Sequence, residues 1–284
     1  MMAYNRLVIL IDMFKVKFTQ NFESDEQIYN RLLKMTPDCS GVWKNLKVVL
    51  DDSYDFLVIM NKPKNENYDK SKTIVLECET KSTRNQFNLF YKDCKDDFYY
   101  VYNTEQHHNA DLWYMDITWN ELFLFNCNKF GSLSIINSGL NDLPGHKLRN
   151  NFISYLSHFV QFDYYGRFSN RPLNNKLDGL KNYRYHFNCE NDFEDNYFTE
   201  KLLDGIFCEC LVFYYGCTNI TNFIDDRAFI NLDLTDFEKS KDIIKDCVTS
   251  DHSLYYKMFP YIMEEKRRIM NDFHPLEIVR KLIK

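Results

Sequence analysis

The chain lacks the marks of several function classes. No apolar run approaches the roughly 18 residues that a membrane helix needs. The apolar stretch near the start, Leu7 to Ile11, stops at Asp12 and is too short for the core of a secretory signal. The sequence therefore reads as soluble and cytoplasmic. Basic charge is in deficit: 35 Lys and Arg stand against 41 Asp and Glu, a net charge of −6. Non-specific nucleic-acid binding needs a positive field, so no nucleic-acid partner is expected. No Cys-x-x-Cys pair occurs among the nine cysteines, and Cys208 and Cys210 flank a single Glu. That is not a zinc-knuckle spacing, and an odd, scattered set fits free thiols in a reducing compartment. Low-complexity tracts and internal repeats are also missing.

What is present is globular. Apolar residues make up 45% and charged residues 27% of the 284, enough to bury a core. Short apolar runs at Leu7–Ile11, Leu46–Leu50, Phe56–Met60 and Thr73–Leu76 read as strands buried on both faces. Ile28, Leu32 and Leu33 space like one face of a helix between them. The same alternation resumes after the apolar-aromatic stretch Trp113–Phe125. Strands are expected at Ser132–Ile136, Asp163–Tyr165, Tyr185–Asn188, Leu211–Tyr215 and Phe229–Leu232. Helices are expected at His146–Phe159, Thr199–Phe207, Phe237–Cys247 and Tyr255–Met270. The pattern is an α/β protein of two Rossmann-like domains, 1–126 and 127–284, facing a cleft. The terminal helices are expected to pack back toward the first domain.

The densest chemical signal is Tyr183-Arg184-Tyr185-His186-Phe187-Asn188-Cys189-Glu190-Asn191, followed by Tyr197-Phe198-Thr199-Glu200-Lys201. A strand ends at Glu190-Asn191, a short polar loop follows, and a helix begins with Thr199 as N-cap. A helix N-terminus offers free backbone N–H groups to an anion. Lys201 in the first turn opposes the helix dipole unless a phosphate docks there. Tyr197 can pack on a nucleotide, and Glu200 can accept from ribose hydroxyls. The plain alternative is a solvated first turn beside a surface tyrosine.

Tyr197-Phe198-Thr199-Glu200-Lys201 resembles the YVTEK signature of the family 10 fucosyltransferases. Glu190-Asn191 is similar to that family's Phe-Glu-Asn at the same spacing. Phe213 to Ile220 resembles its YYG-x-x-N turn, and Phe223-Ile224 with Ala228 to Asn231 resembles the segment that follows. The likeness runs over about Ser134 to Met270 and is weak before it. It implies a GT-B fold and a GDP-fucose donor. It further implies a donor site containing Arg149, Asn191, Tyr197, Thr199, Glu200, Lys201, Gly216 and Asn219. Glu200 would hold the ribose, and Lys201 with Arg149 the diphosphate.

Breaking a sugar–phosphate bond builds charge on the leaving diphosphate, which fixed cations and N–H donors stabilise. No Asp-x-Asp pair follows a strand in the second half, so neither a metal nor another cofactor is expected. An inverting transfer also needs a base for the acceptor hydroxyl. Glu77 and Glu79 end the Thr73–Leu76 strand, where α/β folds place ligand-facing residues. Glu79 aligns better with the family's glutamate, and Glu77 is the reserve. His107 and His108 read as surface or acceptor-facing. The expected partners are a nucleotide sugar and a glycan acceptor, with the chain a monomer or weak dimer. Two alternatives stay open: transfer from another nucleotide sugar, or a silent glycan- or nucleotide-binding protein.

Overall fold

The structure is a computed structural model that describes residues 12–65, 67–80, 83, 90–109 and 113–283. The expected strand at Leu7–Ile11 lies outside these residues. The first half forms a sheet in the order β2-β3-β1-β4-β5-β6. Its strands are β1 (Phe14–Thr19), β2 (Val42–Trp43), β3 (Leu46–Val48), β4 (Phe56–Met60), β5 (Thr73–Leu76) and β6 (Tyr100–Tyr102). All pairings are parallel except β2 with β3. β5 is buried at every position and β4 nearly so, as central parallel strands require. β1 is amphipathic: Val16 and Phe18 are buried between lysines, so it lacks a continuous apolar run. Helix α1 (Asp25–Lys34) starts at a Ser24–Gln27 capping box, with acids in its first turn and bases in its last. Each feature satisfies end groups or complements the helix dipole.

The second half is an all-parallel sheet in the order β11-β10-β9-β7-β8. It contains β7 (Gly131–Ile136), β8 (Asp163–Tyr165), β9 (Tyr183–Cys189), β10 (Leu211–Tyr215) and β11 (Phe229–Asn231). A short helix α2 (Trp119–Phe123) precedes it. Helices α3 (Pro144–Leu156), α4 (Glu200–Phe207), α5 (Phe237–Thr249), α6 (Ser253–Asp272) and α7 (Pro275–Leu282) complete the half. The strand order reverses at β7: the chain goes first to β8 on one side, then to β9 on the other. Ligands of open α/β sheets bind at such a switch point, beyond the carboxyl ends of the strands.

The halves are joined by packed side chains. Trp43 stacks on His274 at 3.9 Å, and its Nε1 donates to Glu277 at 2.9 Å. His274 Nε2 bonds the Met35 carbonyl at 2.8 Å, so the region from α6 to α7 is fastened to the first half. His108, half-buried, is ringed by Tyr102, Phe198, Phe223 and Phe273. His107 stacks on Tyr102 at 4.3 Å. The expectation of a surface position is corrected for His108: apolar rings from both halves close around it, and burial lowers its pKa to about 4.

Candidate active site

The site is assembled around Glu190, which follows β9 and is wholly buried. Its backbone N–H donates to the Tyr215 carbonyl at 2.9 Å. Its carboxylate accepts from the Thr199 N–H at 3.0 Å and from the Thr199 hydroxyl at 2.8 Å. Thr199 is the N-cap of α4 and accepts from the Lys201 N–H at 3.3 Å. The buried carboxylate therefore fixes the start of the helix. Burial raises the pKa of Glu190 above the ordinary carboxylate value, against the pull of Lys201. Two glycines let three chain segments meet here. A β-carbon on Gly216 would overlap the Glu190 side chain, and one on Gly145 would overlap the Glu190 carbonyl oxygen and the Asn191 backbone. The first turn of α3 consequently lies against the end of β9, with Gly145 N–H donating to the Asn191 carbonyl at 3.1 Å.

Cations surround this junction. Lys201 Nζ donates to the Thr199 hydroxyl at 3.0 Å and stands 3.5 Å from Glu200 and 3.8 Å from Glu190. Arg149, on α3, is buried. It donates to the Cys189 carbonyl at 2.7 Å, to Asn137 Oδ1 at 3.2 Å and to Asn191 Oδ1 at 3.3 Å. Asn137 in turn donates to Tyr164 and Asn150, so the guanidinium is held rigidly. His146, one turn before Arg149, is buried. Burial and then the Arg149 charge push its pKa down, while a bond to Asn191 opposes them. Lys176 pairs with the buried Asp204 at 2.7 Å and with Glu200 at 3.8 Å. The two lysines thus have carboxylate neighbours, whereas Arg149 is held by carbonyl and amide oxygens.

Glu79, beyond β5 of the first half, lies across from this network. Burial raises its pKa, Lys201 draws it down, and Glu200 raises it again. The charges of both Lys201 and Glu200 thus act on Glu79 across the two halves. Glu77 is turned elsewhere: its carboxylate accepts from the buried Tyr91 hydroxyl inside the first half.

The structure brings together Glu79, Arg149, Asn191, Thr199, Glu200, Lys201 and Gly216. It places three expected residues differently: Glu77, bonded to Tyr91, and also Tyr197 and Asn219. Tyr197 is only 1% exposed, so its ring offers no open face to a nucleotide. Asn219 pairs with Asn196 through bonds of 2.8 and 2.9 Å. Asn196 has a left-handed backbone (φ 64°) and donates to the Thr104 carbonyl at 2.9 Å, in the first half. Asn219 therefore braces a turn between the halves. Sequence reasoning named Glu190 only as part of a motif and overlooked Gly145, His146 and Lys176. The last two sit in segments without any chemical pattern, though Gly145 after Pro144 opens a helix and was a readable sign of close approach. Among the described residues no cluster of His, Cys, Asp or Glu has the makings of a metal site, and no helix is long and apolar enough to cross a membrane.

Two mainly parallel α/β sheets, the second with charged residues gathered where its strand order reverses, make the GT-B architecture. A crystal structure of an alpha1,3-fucosyltransferase with GDP matches at a TM-score of 0.52 and 19% identity, over 96% of this chain and 94% of that one. A further alpha1,3-fucosyltransferase crystal structure matches at 0.58 and 16% identity, over 91% of this chain and 84% of the other. Comparison with curated proteins gives no match. Residues 137–275, just under half of the chain, match the family described as glycosyltransferase family 10 (fucosyltransferase) C-term.

Proposed function

We propose that this enzyme transfers L-fucose from GDP-fucose to a hydroxyl of a glycan acceptor, with inversion and without a metal. The single observation that carries the reading is the approach of Glu79 to the Glu200–Lys201 start of α4. It sets a carboxylate of the first half opposite the cations of the second. The family match of residues 137–275 and the likeness to an alpha1,3-fucosyltransferase crystallised with GDP support the donor.

In this mechanism Glu200 accepts from the ribose hydroxyls. Lys201, Arg149 and the open N–H groups of α4 meet the diphosphate. As the sugar–phosphate bond breaks, its electron pair passes to the β-phosphate oxygen, and these fixed donors stabilise the growing charge without reorganising. The acceptor oxygen bonds to the anomeric carbon from the opposite face, and its proton passes to Glu79. Partial burial suits Glu79 to this role, because a carboxylate with a raised pKa is a stronger base. His146, one turn before Arg149, can also donate to a phosphate oxygen.

Incubation with a panel of GDP- and UDP-sugars and mixed glycan acceptors tests the reading. The expected result is acceptor-dependent release of GDP from GDP-fucose, undiminished by a chelator. Turnover of a UDP-sugar alone, or of no donor, would overturn it.

A further inference from the structure

We propose that Lys176 is a positioning residue: it holds the charge of Glu200 when a diphosphate draws Lys201 away. The inference rests on the nucleotide-sugar reading above and adds a residue to which that reading gives no part. The Lys201 ammonium is engaged within the protein, with the Thr199 hydroxyl at 3.0 Å, Glu200 at 3.5 Å and Glu190 at 3.8 Å. To meet a diphosphate it exchanges such neighbours for phosphate oxygens, and each carboxylate it leaves opposes the move. Glu190 is provided for, because it accepts from both the Thr199 N–H and the Thr199 hydroxyl. Glu200 has Lys176. The Lys201 and Lys176 ammonium groups stand 3.5 and 3.8 Å from the same Glu200 oxygen, Oε1, so one can depart while the other stays.

The two lysines are held unequally. Lys176 Nζ donates to Asp204 at 2.7 Å, and Asp204 is wholly buried. Asp204 lies one turn after Glu200 on α4, so Lys176 spans two carboxylates on one face of that helix. Burial pulls the pKa of Lys176 down, but the charges of Asp204 and Glu200 outweigh it and the net shift is upward. The ammonium therefore stays charged at neutral pH. Its backbone is anchored as well. Lys176 opens a single 3-10 turn, Lys176–Gly179, capped by Asn175. The Asn175 side chain accepts from the Asp116 N–H at 3.0 Å and donates to the Asp116 carbonyl at 3.1 Å, which ties the turn to the stretch between the two halves. Lys201 meets its carboxylates only at 3.5 Å or more, and its shorter bond is to a hydroxyl. Lys201 is thus the cation that can move to a phosphate, and Lys176 the one that stays. Without Lys176, an ionised Glu200 would keep Lys201 as its counter-charge, and a diphosphate would have to compete for it.

Calorimetric titration with GDP tests this in the wild type, in Lys201→Ala, in the paired variant Lys176→Met/Asp204→Asn, and in the variant that combines all three changes. The paired substitution removes both members of the buried ion pair, so no charge at Asp204 is left unmatched, and thermal denaturation checks that it folds. It is expected to weaken GDP binding by about threefold or more. Lys201→Ala should cost about tenfold or more in the native background. In the paired background that cost should be smaller by about threefold or more, a coupling of the size found within one charge network. Equal costs in the two backgrounds, or unchanged GDP affinity in the paired variant, would reduce Lys176 to a structural partner of Asp204. Either result would overturn the inference and leave the donor site standing. Absence of GDP binding by the wild type would overturn both. Lys176→Gln, which keeps a donor for Asp204, carries the same cycle with Lys201→Ala if the paired variant does not fold.

Discussion

At the residue scale, the junction depends on how one buried carboxylate is satisfied. Glu190 accepts two hydrogen bonds from Thr199, and Thr199 in turn orients Lys201. Glu190→Gln keeps the volume but turns one accepting oxygen into a donor, which then faces the Thr199 N–H or hydroxyl. A buried polar group left unsatisfied costs about 1–3 kcal/mol, so the melting midpoint of this variant should fall, read by thermal denaturation. An unchanged midpoint would show that the bond pair is not needed to hold the cap. Lys201→Ala is expected to act differently. Lys201 is partly exposed at the mouth of the site, so stability should hold while GDP affinity falls by about tenfold or more, as expected for loss of a charge-assisted phosphate contact. Equal GDP affinity in wild type and variant would remove Lys201 from the diphosphate site.

At the element scale, the close meeting of β9, β10 and α3 is what makes a site of these residues. Gly145→Ala places a methyl group against the Glu190 carbonyl, which cannot yield without moving the strand end. Overpacking of this kind costs about 1–3 kcal/mol. A urea titration should show that loss together with weakened GDP binding, since Arg149 rides on the same helix. Retention of both would mean that α3 can shift freely. The sequence made much of this layout legible. Continuous apolar strands such as Phe56–Met60, Thr73–Leu76 and Leu211–Tyr215 were readable because burial on both faces leaves no polar interruption. The Thr199 cap was readable from its residue type. β1 was not, because lysines alternate with its buried residues and the run appears polar. Tyr197 and Asn219 lie otherwise than their motif suggests for a shared reason. A motif says which residues recur together, whereas only packing says whether a side chain faces the ligand or holds up the loop that does. Lys176 was invisible because its partners, Asp204 and Glu200, lie more than twenty residues away along the chain.

At the scale of the whole molecule, the site exists only where the two halves meet, and histidines help hold them. His274 is stacked on Trp43, and burial lowers its pKa to about 4; His108, enclosed by rings of both halves, is also lowered to about 4. In the unfolded chain each titrates near its ordinary value of about 6.5. Between these values the unfolded state binds protons that the folded state refuses. Stability is therefore complete above about pH 6.5 and is lost as pH falls toward 4, by on the order of 3 kcal/mol for each histidine. Urea midpoints at pH 7.5 and pH 5 should differ in that sense, and His274→Gln should reduce the difference. A midpoint that does not move over this range would contradict the role given to the junction.

The central claim is that Glu79 of one half acts on chemistry held by the other. Turnover of GDP-fucose by Glu79→Gln, measured beside its affinity for GDP, tests that claim most directly. The account predicts a fall in kcat of about 100- to 10,000-fold, the usual worth of a general base, with GDP affinity within about twofold of wild type. Near-normal turnover in Glu79→Gln would contradict it.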